Sequence, residues 1–244
     1  EMTSSLVGSE MCIRDRFTAF SLAFLIAFLV VRTKRGAGPL ALVLKTLASI
    51  FFVSGAIYAV YVNGLSLANM FIVLGLVFAL LGDIVLDLKV AYPEANRMYL
   101  NSGISSFSIS NVLYLTGIVL LWNSLSKFWF FAIGAVVIAL LFAVVVFLLA
   151  KPLKLDFTGY KVMVFIYSFL VALTATLSLG ISFYVPGFAL FAVGAILILI
   201  SDLILSMQYF GGKQESKLLT ILNHVIYYIG EILIMTYLFF QIVG

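Results

Sequence analysis

The chain has 244 residues, 64% of them hydrophobic and only 10% charged, with a formal net charge of +4; a soluble domain carries roughly 45–50% and 25% of those two classes. No soluble shape of this size has an interior large enough to hide that much apolar surface, so a bilayer is the solvent the composition demands. One cysteine, Cys12, excludes an internal disulfide, and one histidine, His224, excludes a metal centre built on several imidazoles; nothing in the sequence calls for a cofactor.

Residues 1–16 are polar, lead into no recognisable cleavage site, and read as a non-native or disordered leader. Phe17 to Val31 has the apolar length of a signal peptide core, but Arg32, Lys34 and Arg35 follow where small residues should stand. It is therefore taken as the first membrane helix. A crossing helix needs about 20 apolar residues, and the same rule places further spans at Leu40 to Tyr61, Leu67 to Leu88, Gly103 to Trp122, Phe128 to Ala150, Met163 to Phe183, Phe188 to Met207 and Ile221 to Val243. The expected fold is all-α: one integral membrane bundle of about eight transmembrane helices over residues 17–244. Pro39, Pro93, Pro152 and Pro186 all fall in connections, where a missing backbone donor does least harm. The helices are expected to be unbroken.

The odd-numbered connections carry Arg32, Lys34, Arg35, Lys89, Arg97, Lys151, Lys154, Lys161, Lys213 and Lys217, whereas the even-numbered ones hold Lys127 alone. By the positive-inside rule the odd connections are cytoplasmic and both termini are not. Cations scattered between apolar runs report topology, so nucleic acid is not an expected partner.

An internal echo runs through the chain. Leu81-Gly82-Asp83-Ile84-Val85-Leu86-Asp87-Leu88 closes span three, and Ile200-Ser201-Asp202-Leu203-Ile204-Leu205-Ser206-Met207 closes span seven. More loosely, Lys45 to Phe51 echoes Lys161 to Tyr167. Residues 17–122 and 128–243 thus read as two parallel four-helix repeats, an arrangement that sets matching residues at matching depths.

Ionisable groups inside a span cost at least ~2.5–3.5 kcal/mol on insertion scales and usually face the bundle interior. Asp83 lies about 9 Å from the cytoplasmic end of its span at 1.5 Å per residue, and Asp202 is similarly placed. Lys45, Asn111 and Glu231 enter the same layer from spans two, four and eight, with Lys161 at the mouth of span six. Each has a plain structural reading beside the functional one. Asp87 near the headgroups reads as a solvated helix end, and His224 at the start of span eight reads as an interfacial donor. Lys45 and Lys161 can snorkel to lipid phosphate, while Tyr114, Tyr227 and Tyr228 can be packing aromatics with a hydroxyl handle. Asp83 and Asp202 resist the plain reading best, although a structural hydrogen-bonded knot stays open beside a catalytic pair.

Gly82-Asp83, the run Phe107 to Tyr114 (Phe-Ser-Ile-Ser-Asn-Val-Leu-Tyr), Ser201-Asp202 and Tyr227-Tyr228-Ile229-Gly230-Glu231 resemble, in order and spacing from about Leu40 onward, the lysoplasmalogenase family of membrane proteins. Asn111 stands where that family commonly has a histidine, Glu231 where glutamine or histidine is usual, and Thr46 where a proline often follows the lysine. The resemblance implies hydrolysis of the vinyl ether of a lysoplasmalogen to a fatty aldehyde and a glycerophospho-headgroup. Asp83 and Asp202 would be the catalytic acid and base, and Lys45, Asn111, Tyr114, Lys161, Tyr227 and Glu231 would contact the lysophospholipid. The chemistry asks for one acid and one base, because protonating the alkenyl carbon leaves an oxocarbenium ion that water attacks. Three other classes remain: a proton-coupled transporter, whose paired halves would look alike; a hydrolase using zinc-bound water, for which the ligands are scarce; and an inactive relative that binds lipid.

Overall fold

The computed structural model describes residues 2–91, 96–122, 127–213 and 216–240, the side chains of 2–11 and 89–91 excepted. Among the described residues eight α-helices follow one another: α1 (Met2–Arg35), α2 (Pro39–Asn63), α3 (Leu67–Ala91), α4 (Asn96–Trp122), α5 (Phe128–Ala150), α6 (Lys161–Ser182), α7 (Ala189–Tyr209) and α8 (Lys217–Phe240). Each is long and apolar enough to cross a membrane. Several helices overrun the apolar spans. For example, α4 starts at Asn96 and not at Gly103, because counting apolar residues locates the hydrocarbon crossing, whereas helical hydrogen bonding continues through polar turns into the headgroup layer. The expected end of the last span, Val243, lies outside the described residues.

The turns are made by residues suited to them. Gly36 ends α1 at φ 83° with its N–H bonded to Arg32 O at 3.1 Å, a left-handed cap that a side chain would oppose. Pro39 then opens α2 at a position that needs no donor. The connection between α5 and α6 is pinned to the end of α7 by Asp156 N–H on Phe210 O at 2.9 Å. Asp156 itself is exposed, and hydrogen bonds from Thr158 hold its carboxyl below the usual range.

Neighbours in sequence pack as neighbours in space, α1 through α4 in one half and α5 through α8 in the other. The halves meet where α2 lies on α8 and α6 on α4, so exchanging the halves reproduces the same pair of seams. One seam breaks the exchange. Helix α1 also packs on α8, but α5 packs on α6 and forms no comparable seam with α4.

Lipid tails are as apolar as the helices, so close backbone approach has to do work that the hydrophobic effect does in water. A Cβ on Gly194 would sit 2.7 Å from Gly230 O, and one on Gly230 2.8 Å from Gly194 O. In the other half a Cβ on Gly75 would run into the Tyr114 ring, and one on Gly117 would reach within 2.9 Å of Ala68 O. Gly75 and Gly194 each precede the repeated aspartate by about two turns. Close helix contact thus recurs at the same level in both halves. Phe28, Phe52, Phe188, Phe191 and Tyr228 fill the interior, while Ile26, Tyr61, Phe130, Leu148 and Phe183 lie on the outer surface.

Candidate active site

The site is built from residues one helical turn apart, which share a helix face. On α2 these are Lys45 and Ser49, and on α3 they are Asp83 and Asp87. The Lys45 ammonium lies 3.3 Å from Asp83 Oδ1 and 3.5 Å from Asp87 Oδ1, and it also donates to Asp83 O at 3.4 Å. Asp83 Oδ2 accepts from Ser49 Oγ at 2.8 Å and from Tyr227 OH of α8 at 3.2 Å. Ser49 has only one proton and spends it on Asp83, so Tyr228 is the donor in its 2.7 Å contact with Ser49 Oγ, sharing that proton with Lys45 O at 3.0 Å. The result is a continuous network through α2, α3 and α8. All five side chains around Asp83 are buried.

Asp202 on α7 has a simpler setting. Tyr167 OH of α6 donates to its Oδ2 at 2.5 Å, and among the described residues no cation pairs with it. Between the two carboxylates lies a small cavity of about 20 Å³. Lys45, Asp83, Asp202, Asn223, His224 and Tyr227 supply its polar wall, with Leu86, Phe107, Leu205 and Tyr209 among the rest. Asn223 Nδ2 donates to Ser201 O at 2.8 Å, which fixes α8 against α7 beside Asp202.

A second cavity, about 70 Å³ and almost wholly apolar, adjoins the first. Ile104 of α4, Phe142 and Val146 of α5, Val171 of α6 and Leu199 of α7 line it, and Phe157 with Phe210 stand at its end. Those two rings pack at 5.0 Å between centroids. Leu86, Phe107, Asp202, Leu205 and Tyr209 belong to both cavities. Asp202 is the carboxylate at the junction.

The residues singled out in the sequence separate into three groups. Lys45, Asp83, Asp202 and Tyr227 meet at the polar cavity. Tyr114 and Glu231 pair with each other behind it, Tyr114 OH donating to Glu231 Oε2 at 2.9 Å. Asn111 turns back on its own helix, giving Nδ2 to Phe107 O at 3.0 Å, and Lys161 is exposed at the start of α6. Two plain readings give way. Asp87 is not a solvated helix end but a buried partner of Lys45, and His224, read as an interfacial donor, is buried in the cavity wall. Ser49 and Tyr167 were not anticipated. Ser49 lies one turn after Lys45 on the same face of α2, whereas Tyr167, six residues after Lys161, lies off that lysine's face of α6 and carried no such signal.

Fold and site together define a polytopic α-helical membrane protein with a buried acidic centre opening onto an apolar chamber. The chain matches the YhhN family over residues 40–238 and belongs to that family, which is the lysoplasmalogenase family. No curated protein and no solved structure matches it. Membership supports a lysoplasmalogenase-like function at the level of the family.

Proposed function

We propose that the protein hydrolyses the vinyl ether bond of lysoplasmalogens, releasing a fatty aldehyde and a glycerophospho-headgroup. The observation that carries this reading is the position of Asp202, in the wall of both the polar cavity and the apolar chamber. A lysoplasmalogen places its vinyl ether at such a boundary, with an alkenyl chain on one side and a phosphoglycerol on the other.

In this mechanism Asp202 carries a proton and delivers it to the alkenyl carbon next to the ether-bearing one, leaving an oxocarbenium ion. Asp83 is the anion. Its countercharge at Lys45 and its two hydroxyl donors keep it ionised in apolar surroundings, and it faces the developing cation and orients water. Water adds to the oxocarbenium carbon, and the hemiacetal collapses to aldehyde and alcohol. Lys45 is engaged with Asp83 and Asp87, so it holds the carboxylates in place. Lys161 is placed at the helix mouth to meet the phosphate. On the positive-inside reading the substrate comes from the cytoplasmic leaflet and enters the chamber from lipid on the side of α4 and α5, which form no seam like that of α1 with α8.

Purified protein in lipid nanodiscs is expected to release aldehyde and glycerophospho-headgroup in equal amounts from lysoplasmalogen. The saturated 1-alkyl ether should be inert, because it has no alkene to protonate. Equal turnover of the saturated ether would overturn the mechanism. Uptake driven by a pH gradient into liposomes, with no aldehyde formed, would give the site to a transporter instead.

A further inference from the structure

The mechanism so far gives no task to the imidazole in the cavity wall. His224 is buried, its Nδ1 lies 2.7 Å from Thr220 O, and its ring packs on the Phe28 ring at 4.9 Å between centroids. A carbonyl oxygen can only accept, so Nδ1 carries the hydrogen, and in the neutral ring the lone pair is therefore on Nε2. Asp83, Tyr227 and Asn223 of the same wall are engaged elsewhere. Asp83 faces Lys45 with one oxygen and accepts Ser49 and Tyr227 with the other, Tyr227 gives its proton to Asp83, and Asn223 donates to Ser201 O.

We propose that His224 is the base that takes the proton from the attacking water, through Nε2. This rests on the vinyl ether reading above. When Asp202 protonates the alkenyl carbon, the water oxygen bonds to the oxocarbenium carbon as one of its protons passes to Nε2, giving the imidazolium and the neutral hemiacetal. The imidazolium then returns that proton to the glycerol oxygen as its bond to carbon breaks. The hemiacetal hydroxyl proton goes to the Asp202 carboxylate as the aldehyde forms. Both side chains end as they began, and one water is consumed.

The repeat gives the position a second meaning. Asn111-Val112-Leu113-Tyr114 on α4 matches His224-Val225-Ile226-Tyr227 on α8, and Gly117 matches Gly230. The first half therefore sets an amide where the second sets an imidazole, and that amide is turned onto Phe107 O. An amide does not take up a proton in this range, so only one half can supply a base of this kind at that place. Arg32 of α1, Lys45 of α2, Asp83 and Asp87 of α3, and Asp202 and Tyr209 of α7 are the charged or titratable groups around the ring from the helices packed near it.

The test separates the two proton transfers. In deuterated water the wild-type protein commits each protonated substrate to product, so recovered lysoplasmalogen stays unlabelled. His224→Gln should release aldehyde about a hundredfold more slowly, within the usual range for a lost general base. Its recovered substrate should carry deuterium on the protonated alkenyl carbon, because return of a proton to Asp202 then outruns attack by water. A slow variant whose recovered substrate stays unlabelled, or a variant with unchanged turnover, overturns the assignment. Should the variant fail to fold, carbethoxylation of the wild-type protein reaches the same atom, since His224 is the single histidine; it should give the same label, reversed by hydroxylamine, and turnover unaffected by it is a refutation. Absence of aldehyde from unmodified wild-type protein would refute the vinyl ether reading itself.

Discussion

Asp83 on α3 and Asp202 on α7, each eight residues after a closely packed glycine, live in different chemical surroundings. Asp83 has an ammonium at 3.3 Å, two hydroxyl donors and a second carboxylate sharing its lysine; Asp202 has one tyrosine and a border with the apolar chamber. The frame around them is shared down to the glycine about two turns before each aspartate. A repeated frame fixes where a carboxylate sits, and the neighbours then decide whether it behaves as an anion or as an acid. The outer helices diverge in the same sense. Packing of α1 on α8 closes one side of the bundle, and the matching side between α4 and α5 is left without such a seam.

The largest effects should come from removing the two carboxylic acids. Asp202→Asn is expected to lower aldehyde release about a thousandfold, in the range set by general acid catalysis, with little change in thermal midpoint in detergent. Asp83→Asn should also be inactive, but with a lower midpoint, since it removes half of the charge that compensates buried Lys45. Equal stability losses in the two variants would show that the halves are not divided as described. The next largest effect concerns the cation. Lys45→Met leaves Asp83 and Asp87 facing each other without a countercharge, and breaking a buried pair in this way costs about 3–5 kcal/mol. A second substitution, Asp87→Asn, should restore part of the lost midpoint. A Lys45→Met protein as stable as wild type would mean the lysine is not the keystone of that cluster.

Much of this was legible before any coordinates. Length and hydropathy gave the spans, because crossing hydrocarbon leaves few options for backbone hydrogen bonds. The duplicated aspartates were legible because ionisable groups are rare at that depth. Partner choice was not legible. Lys45 and Lys161 look equivalent in the echo, yet one is enclosed by two carboxylates and the other is exposed; which way a long side chain turns depends on helices distant in sequence. Asp87 was misjudged for the same reason, being judged by its depth and not by the lysine on the neighbouring helix. Tyr167 and Ser49 escaped notice because hydroxyls are common in membrane helices and take meaning only from what they face.

Those two hydroxyls provide the finest test of the comparison. Each donates to the repeated aspartate of its own half, Ser49 at 2.8 Å and Tyr167 at 2.5 Å. If Asp83 is held by several redundant partners, Ser49→Ala should alter turnover less than about twofold, because Lys45 and Tyr227 keep the carboxylate in place and the loss of one among several hydrogen bonds is partly absorbed. Tyr167→Phe removes the one donor bonded to Asp202 among the described residues. A lost bond of about 1 kcal/mol corresponds to a roughly fivefold change, so turnover should fall by about that factor with the saturated ether still inert. Measuring kcat and KM for both variants decides the matter. A larger kcat loss from Ser49→Ala than from Tyr167→Phe would reverse the roles and make Asp83, with its lysine, the group whose orientation limits the reaction.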